Sequence, residues 1–300
     1  MEDPSTTFLF WNIQKRFLTQ NLARLVEGHD VQVLLLAESP YRNDPKLLLD
    51  ALNAVPQLRG RPPFLEVPGT SVTKVQIFSR LKRARWKSMM SHSHYAIWTL
   101  FTDANNRLLL TAAHFPSIQE DQGDGQRKVA IDLRNDLSDL EASRPLLRTD
   151  ANGQKQAPYS FVIGDLNANP FDAGIAGIYG LNANLSRDVV RRGKGVRDLH
   201  KRSYQLLYNP MWRFFGAPTS GTIRARRVQG TYYDRLTKPV CYDWFVLDQV
   251  LIRPNMLPYF EENNLEVLMQ DTEQGGVPLV SPEGIPKVSD HLPLLFRIRL

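Results

Sequence analysis

The chain has a single cysteine, Cys241, so no disulfide can form within it. Disulfide-stapled folds are excluded, and a reducing compartment is the simpler setting. No stretch approaches the roughly 18 uninterrupted apolar residues of a membrane helix. The opening Met1-Glu2-Asp3-Pro4 lacks the basic start and apolar run of a signal peptide. The expectation is a cytoplasmic protein without membrane attachment. Internal repeats and low-complexity tracts are lacking too, and no Cys/His cluster has the spacing of a zinc site. What is present is ordinary globular material. Hydrophobic residues make up 42% of the 300, enough for a sizeable core. The 37 basic residues exceed the 31 acidic ones, and the resulting +6 suits an anionic partner without identifying it. No linker marks a boundary, so residues 1–300 are read as a single domain.

Short apolar runs alternate with helical patterns. Phe8–Ile13, Val31–Ala37, Phe64–Val67, Lys74–Ser79, Arg85–Met89, His94–Phe101, Leu108–His114 and Tyr159–Gly164 read as strands. So do Asp243–Ile252, Asn264–Leu268 and Leu292–Leu300. Asp103-Ala104-Asn105-Asn106 gives a turn signal. Helical spacing marks Lys15–Glu27, Pro45–Ala54 and Gln126–Leu140, with shorter helices expected near Ala173–Tyr179 and Ser203–Leu207. Asp150–Pro158 reads as an exposed loop. Two groups of strands, each with its own helices, imply two sheets packed face to face with helices outside.

The functional signal lies in where polar residues fall. Asn12 ends the first strand and Glu38 follows Leu34-Leu35-Leu36-Ala37. His114 ends Leu108–Ala113, Asp165 and Asn167 follow Phe161-Val162-Ile163-Gly164, and Asp290 and His291 precede the last strand. A single strand-end Asn or Asp is an ordinary turn former, and a lone His is usually structural. Repeated at so many strand ends, such groups converge on one rim, where ligands bind.

The blocks Phe10-Trp11-Asn12-Ile13, Leu36-Ala37-Glu38-Ser39, Gly164-Asp165-Leu166-Asn167-Ala168-Asn169-Pro170 and Ser289-Asp290-His291-Leu292-Pro293 occur in this order. Ile77-Phe78-Ser79-Arg80 and Phe245-Val246-Leu247-Asp248-Gln249 support them. Together they resemble the motifs of the endonuclease/exonuclease/phosphatase superfamily across nearly the whole chain. The resemblance implies an α/β fold, a four-layered α/β/β/α sandwich of two mixed sheets. It also implies a phosphoesterase that uses Mg2+, with Mn2+ as a substitute, a hard ion preferring oxygen ligands. By that resemblance Glu38 is the principal metal ligand, with Asn12 and Asp290 beside it. His291 is the general base or transition-state stabiliser, and Asp248 fixes its tautomer. Asp165 orients or deprotonates the attacking water, Asn167 donates to a phosphate oxygen, and His114 faces the phosphate. The choice of base between Asp165 and His291 stays open.

Substrate choice is less legible. Arg191, Arg192, Lys194 and Arg197 form one basic cluster; Lys82, Arg83, Arg85 and Lys87 another; Arg224, Arg226 and Arg227 a third. Nearby aromatics such as Trp212, Tyr232 and Tyr233 complete the usual equipment of a nuclease. The expected partner is nucleic acid, DNA ahead of RNA, with Arg191, Arg192 and Lys194 as the substrate-binding loop. The alternatives are a phosphatase or phosphodiesterase of inositol phosphates, phospholipids or other small phosphoesters, and an inactive binding scaffold. Two features depart from the pattern. Ser39-Pro40 follows Glu38 where many nucleases carry a Lys or another polar residue, and Val246-Leu247-Asp248 replaces the Arg-Ile-Asp of abasic-site endonucleases. The blocks Tyr208–Trp212 and Gly230–Tyr233 resemble those of bacterial members.

Overall fold

The computed structural model describes residues 5–55, 60–69, 73–101, 107–117, 124–149, 152–192, 195–215, 228–235, 243–272 and 275–299. The chain starts with β1 (Ser5–Asn12), α1 (Thr19–Gly28), β2 (Val33–Ala37), α2 (Pro45–Ala54), β3 (Leu65–Glu66) and β4 (Val75–Ser79). β5 (Trp86–Ser91), β6 (Tyr95–Phe101), β7 (Arg107–His114), the long helix α3 (Asp124–Ala142), β8 (Arg148–Thr149), β9 (Lys155–Gln156) and β10 (Tyr159–Asp165) follow. Next come α4 (Ala173–Ala176), β11 (Ala183–Asn184), α5 (Arg187–Arg192), β12 (Val196–Leu199), β13 (Arg202–Gln205) and β14 (Leu207–Tyr208). The last strands are β15 (Tyr232–Tyr233), β16 (Trp244–Phe245), β17 (Asp248–Ile252), β18 (Glu266–Val267) and β19 (Leu294–Arg299).

Two mixed sheets carry the architecture. One has the order β18-β19-β1-β2-β4-β3, the other β11-β14-β17-β10-β7-β6-β5. Period-two alternation decides what each face meets. Phe8, Phe10, Val33 and Leu35 point inward and meet Trp98, Leu110, Phe161 and Ile163 of the other sheet. The intervening Leu9, Trp11, Leu34 and Leu36 point outward, under Leu22, Leu25 and Val26 of α1 and Leu48 and Leu52 of α2. On the opposite outer face Val129, Leu133 and Leu137 of α3 cover Ile97, Leu109 and Val162. The result is the four-layered α/β/β/α sandwich. Rings fix the inter-sheet contact: Phe161 meets Phe8 edge-on at 5.3 Å and Phe296 at 5.6 Å, while Phe8 and Phe296 stack within their own sheet at 5.1 Å. Truncating such a core ring costs about 3–5 kcal/mol.

Several expectations need correction. Ser203–Leu207 is not helical. Arg202–Gln205 pairs antiparallel with Val196–Leu199 in a two-residue hairpin. His200 and Lys201 take φ of 50° and 62° there, the doubly left-handed turn that hairpins favour. The first helix starts at Thr19 rather than Lys15, because Gln14 and Lys15 adopt φ of 51° and 56°. The expected strand Asp243–Ile252 is split at Val246 and Leu247, whose N–H groups donate to Asn169 Oδ1 and Thr231 Oγ1 instead of a ladder. Part of the expected loop Asp150–Pro158 is strand, since Lys155–Gln156 pairs with Arg148–Thr149. The expected turn Asp103–Asn106 lies outside the described residues. Among the described residues no helix is long and apolar enough to cross a membrane.

Candidate active site

Strand direction brings the polar strand ends together. β1 and β2 run parallel, with Asn12 opposite Ala37, so Asn12 and Glu38 leave the first sheet at the same edge. β7 and β10 also run parallel, pairing His114 with Asp165, while antiparallel β17 sets Asp248 on the other side of Asp165. β19 runs antiparallel to β1 and pairs Leu294 with Phe10, which leaves Asp290 and His291 at this same rim. All of these groups except Asn12 and Asp248 line one cleft of about 860 Å³, and those two lie immediately behind it.

His291 and Asp248 form a buried pair. Asp248 is completely buried, and its carboxylate oxygens stand 2.8 and 3.1 Å from His291 Nδ1. Thr231 Oγ1 accepts the N–H groups of Leu247 and Asp248, holding the strand start in place. Trp11 Nε1 donates to the His291 carbonyl, and the Tyr232 ring lies 4.7 Å from the imidazole. Ser289 ties the segment to β1 by donating to the Asn12 carbonyl at 2.8 Å. Nε2 is thereby the free edge of the ring, 3.7 Å from Asp165 Oδ2 and 3.9 Å from Asp290 Oδ1. Burial opposes a charged imidazole, but Asp248 and then Asp165 outweigh it and raise the His291 pKa well above its ordinary range. Burial likewise raises Asp248, against the pull of His291.

The second half of the site is acidic. Asn12 Nδ2 donates to Asp165 Oδ2 at 3.0 Å and to Glu38 Oε1 at 3.3 Å, linking the two sheets at the rim. His114 Nε2 stands 3.5 Å from Glu38 and 3.6 Å from Asp165. That contact with His114 outweighs burial and lowers the Glu38 pKa to about 2. Burial raises Asp290, helped by the neighbouring charges of Glu38 and Asp165. Gln14 Nε2 donates to Asp290 Oδ2 at 2.6 Å. Glu38 and Asn167 hold φ of 49° and 47°, a strained conformation for a glutamate that costs about 1–3 kcal/mol and is typical of functional rims.

These residues fit a hard divalent cation. Glu38, Asp165 and Asp290 bring three carboxylates to one cleft, and two buried oxygens there, Asp290 Oδ1 and Gln14 Oε1, have no hydrogen-bond partner. Oxygen donors of this kind select magnesium or manganese over softer ions. Asp165, Asp248 and His291 also present ligand atoms within 4.8 Å of one another. Asp248, however, spends its carboxylate on His291 Nδ1, so the carboxylates facing the cleft are the better donors.

The two asparagines of the rim make contacts within the chain. Asn12 turns its amide nitrogen toward the carboxylates, and its oxygen accepts the Gln14 N–H at 3.0 Å. In this arrangement it links Glu38 and Asp165 across the rim. Asn167 donates its side-chain amide to the Phe115 carbonyl at 2.9 Å, although it does line the cleft. The basic cluster is displaced. Arg191 and Arg192 lie on α5, beside β11 and β14, with Arg191 paired to Asp188 at 3.1 Å. β14 pairs with Ile252, at the end of β17 remote from Asp248, so these arginines sit at the opposite end of the sheet. Lys194 lies outside the described residues. In their place Lys15, Arg42 and Lys74 reach the cleft, and Phe115, Tyr232 and Phe245 form its apolar walls. Sequence carried no signal for Lys15, Arg42 and Lys74, since only the sheet order shows that they share a rim.

A four-layered sandwich with an acidic, histidine-bearing cleft at one sheet edge defines a recognisable class. No protein-family model matches the chain, and no curated protein matches its sequence. Solved structures do. An endonuclease/exonuclease/phosphatase family protein from Bacteroides thetaiotaomicron aligns at TM-score 0.52 and 12% identity, over 99% of this chain and 98% of that one. The AP endonuclease LMAP from Leishmania major aligns at 0.53 and 12%, over 99% and 88%. The endonuclease domain of TRAS1, a telomere-specific non-LTR retrotransposon, aligns at 0.50 and 12%, over 98% and 99%. The chain has the endonuclease/exonuclease/phosphatase superfamily fold.

Proposed function

We propose that the chain is a metal-dependent phosphodiesterase, and specifically a nuclease acting on DNA ahead of RNA, with magnesium as its ion. The observation that carries this reading is the convergence of the His291–Asp248 pair with Glu38, Asp165 and Asp290 in one cleft. Each residue has work to do. Asp248 fixes the tautomer of His291, so that Nε2 faces the reacting phosphate. The imidazolium favoured by the surrounding carboxylates donates to, and stabilises, the charge developing on the phosphoryl oxygens. Asp165, held by the Asn167 N–H at 2.9 Å and by Asn12, places a carboxylate oxygen 3.6 Å from His114 and 3.7 Å from His291 and orients or deprotonates the attacking water. This division assigns the base to Asp165. Glu38 and Asp290 would hold the cation, which supplies Lewis-acid polarisation and charge neutralisation. Lys15 and Lys74, which make no ion pair with a described residue, attract a polyanion to the mouth. Two proteins of the same fold are named as endonucleases, which supports a nucleic-acid substrate.

A hydrolysis screen tests this reading, with magnesium and supercoiled DNA, single strands, RNA, inositol phosphates and sphingomyelin. Cleavage of DNA is the expected result. Turnover of a small phosphoester with nucleic acids untouched would replace the nuclease by a phosphatase.

A further inference from the structure

The catalytic cleft is not the end of the groove. A second cavity of about 600 Å³ adjoins it, and the two share Arg42 and Asn43 as common wall. Its other polar groups are Glu66 on the edge strand β3 and Arg83 on the turn preceding β5. The wall between the cavities is braced. Ser39, next to Glu38, caps the turn Pro40–Arg42 by accepting the Tyr41 N–H and donates to Gln76 Oε1 at 2.6 Å. Gln76, fully buried, donates onward to Glu66 Oε1 at 2.8 Å. A continuous chain of hydrogen bonds therefore runs from beside the proposed metal ligand into the second cavity. The floor is fixed as well. Gly69 has φ of 88° and passes so close to Ser88 that a Cβ would come within 2.7 Å of its hydroxyl, while the Pro68 carbonyl accepts Trp98 Nε1–H at 2.8 Å.

We propose that this second cavity is a binding subsite for the nucleotide that flanks the scissile phosphodiester. The inference rests on the nuclease reading and deepens it by locating where the strand beyond the scissile phosphate is held. Two guanidinium groups against one carboxylate leave the cavity positive, which suits a backbone phosphate. Asn43 and Glu66 supply a mixed donor and acceptor edge for a base. Arg83 is exposed and makes no ion pair with a described residue, so it can take a phosphate without breaking an existing contact. A small phosphodiester fills only the first cavity.

The test compares an oligodeoxynucleotide series with bis(p-nitrophenyl) phosphate, in the unmodified protein and in Arg83→Glu. Arg191→Glu, remote from both cavities, serves as the charge-matched control. In Arg83→Glu the loss in kcat/KM on oligonucleotides should exceed the loss on the small diester by about tenfold or more, the scale of one charge-assisted contact. Equal losses on both substrates, or a matching loss in Arg191→Glu, would overturn the subsite. If neither substrate is hydrolysed, the phosphodiesterase reading fails by itself. Fluorescence-anisotropy binding of the oligonucleotide then decides the subsite, which stands if Arg83→Glu weakens binding about tenfold and falls if binding is unchanged.

Discussion

Replacing Asp248 by asparagine removes one buried charge while keeping the shape of the side chain. The native carboxylate lies 2.8 Å from His291 Nδ1 and has no exposed surface, so no solvent can substitute for it. In the variant, burial acts on the imidazole without its main counter-charge, and the ring shifts toward the neutral form. The amide can also present its nitrogen and impose the wrong tautomer. Loss of the carboxylate behind a catalytic histidine costs on the order of 10⁴ in kcat, equivalent to about 5 kcal/mol. Stability changes with a defined sign. His291, raised from 6.5 to about 10, contributes stability that is complete below about pH 6.5 and is lost as pH rises toward 10. Asp248, raised to about 6, is ionised across that window. The unmodified protein should therefore lose thermal stability between these limits, and Asp248→Asn should show a flatter profile there. Single-turnover hydrolysis and differential scanning fluorimetry across this pH range are the assays. A loss in kcat below tenfold, together with an unchanged stability profile, would refute the coupling of these two residues.

Other perturbations give sharp outcomes. Glu38→Gln should raise the magnesium concentration needed for half-maximal activity by about tenfold or more, and an unchanged titration would move the metal elsewhere. Glu141→Ala leaves the Arg253 guanidinium buried without its partner, whose Oε1 now lies 2.9 Å from Nε. Urea unfolding should show a loss of about 3–5 kcal/mol, and a loss under 1 kcal/mol would contradict the pairing. Arg191→Glu combined with Arg192→Glu should leave the salt dependence of DNA binding unchanged, because α5 lies at the far end of the sheet. A reduced slope would place those arginines on the substrate path.

The elements that sequence disclosed best are those with strong periodicity and clear ends. Pro45–Ala54 is helical over that same span, and β1, β2, β7 and β10 fall within a residue or three of their expected bounds. Their polar terminal residues could be picked out because an apolar run stops at each. Where the structure departs, the local chain had no distinguishing chemistry. His200-Lys201 makes a left-handed hairpin turn without glycine or asparagine, so Ser203–Leu207 kept a helical appearance. The orientation of the Asn12 amide depends on Gln14 and on Asp165, a partner 153 residues away. Basic residues posed the hardest problem. Arg191 and Arg192 look better in sequence than Lys15, Arg42 and Lys74, which are scattered and unremarkable. Only the pairing of β14 with Ile252, at the end of β17 remote from Asp248, shows that the cluster lies away from the cleft.

The most direct measurement of the central claim is magnesium-dependent phosphodiester cleavage by the unmodified protein beside His291→Ala, each with and without chelator. Cleavage that requires the metal and falls by roughly 10³-fold or more in the variant, with its melting transition retained, is the predicted result. Cleavage that survives chelation, or that persists in His291→Ala, would contradict it.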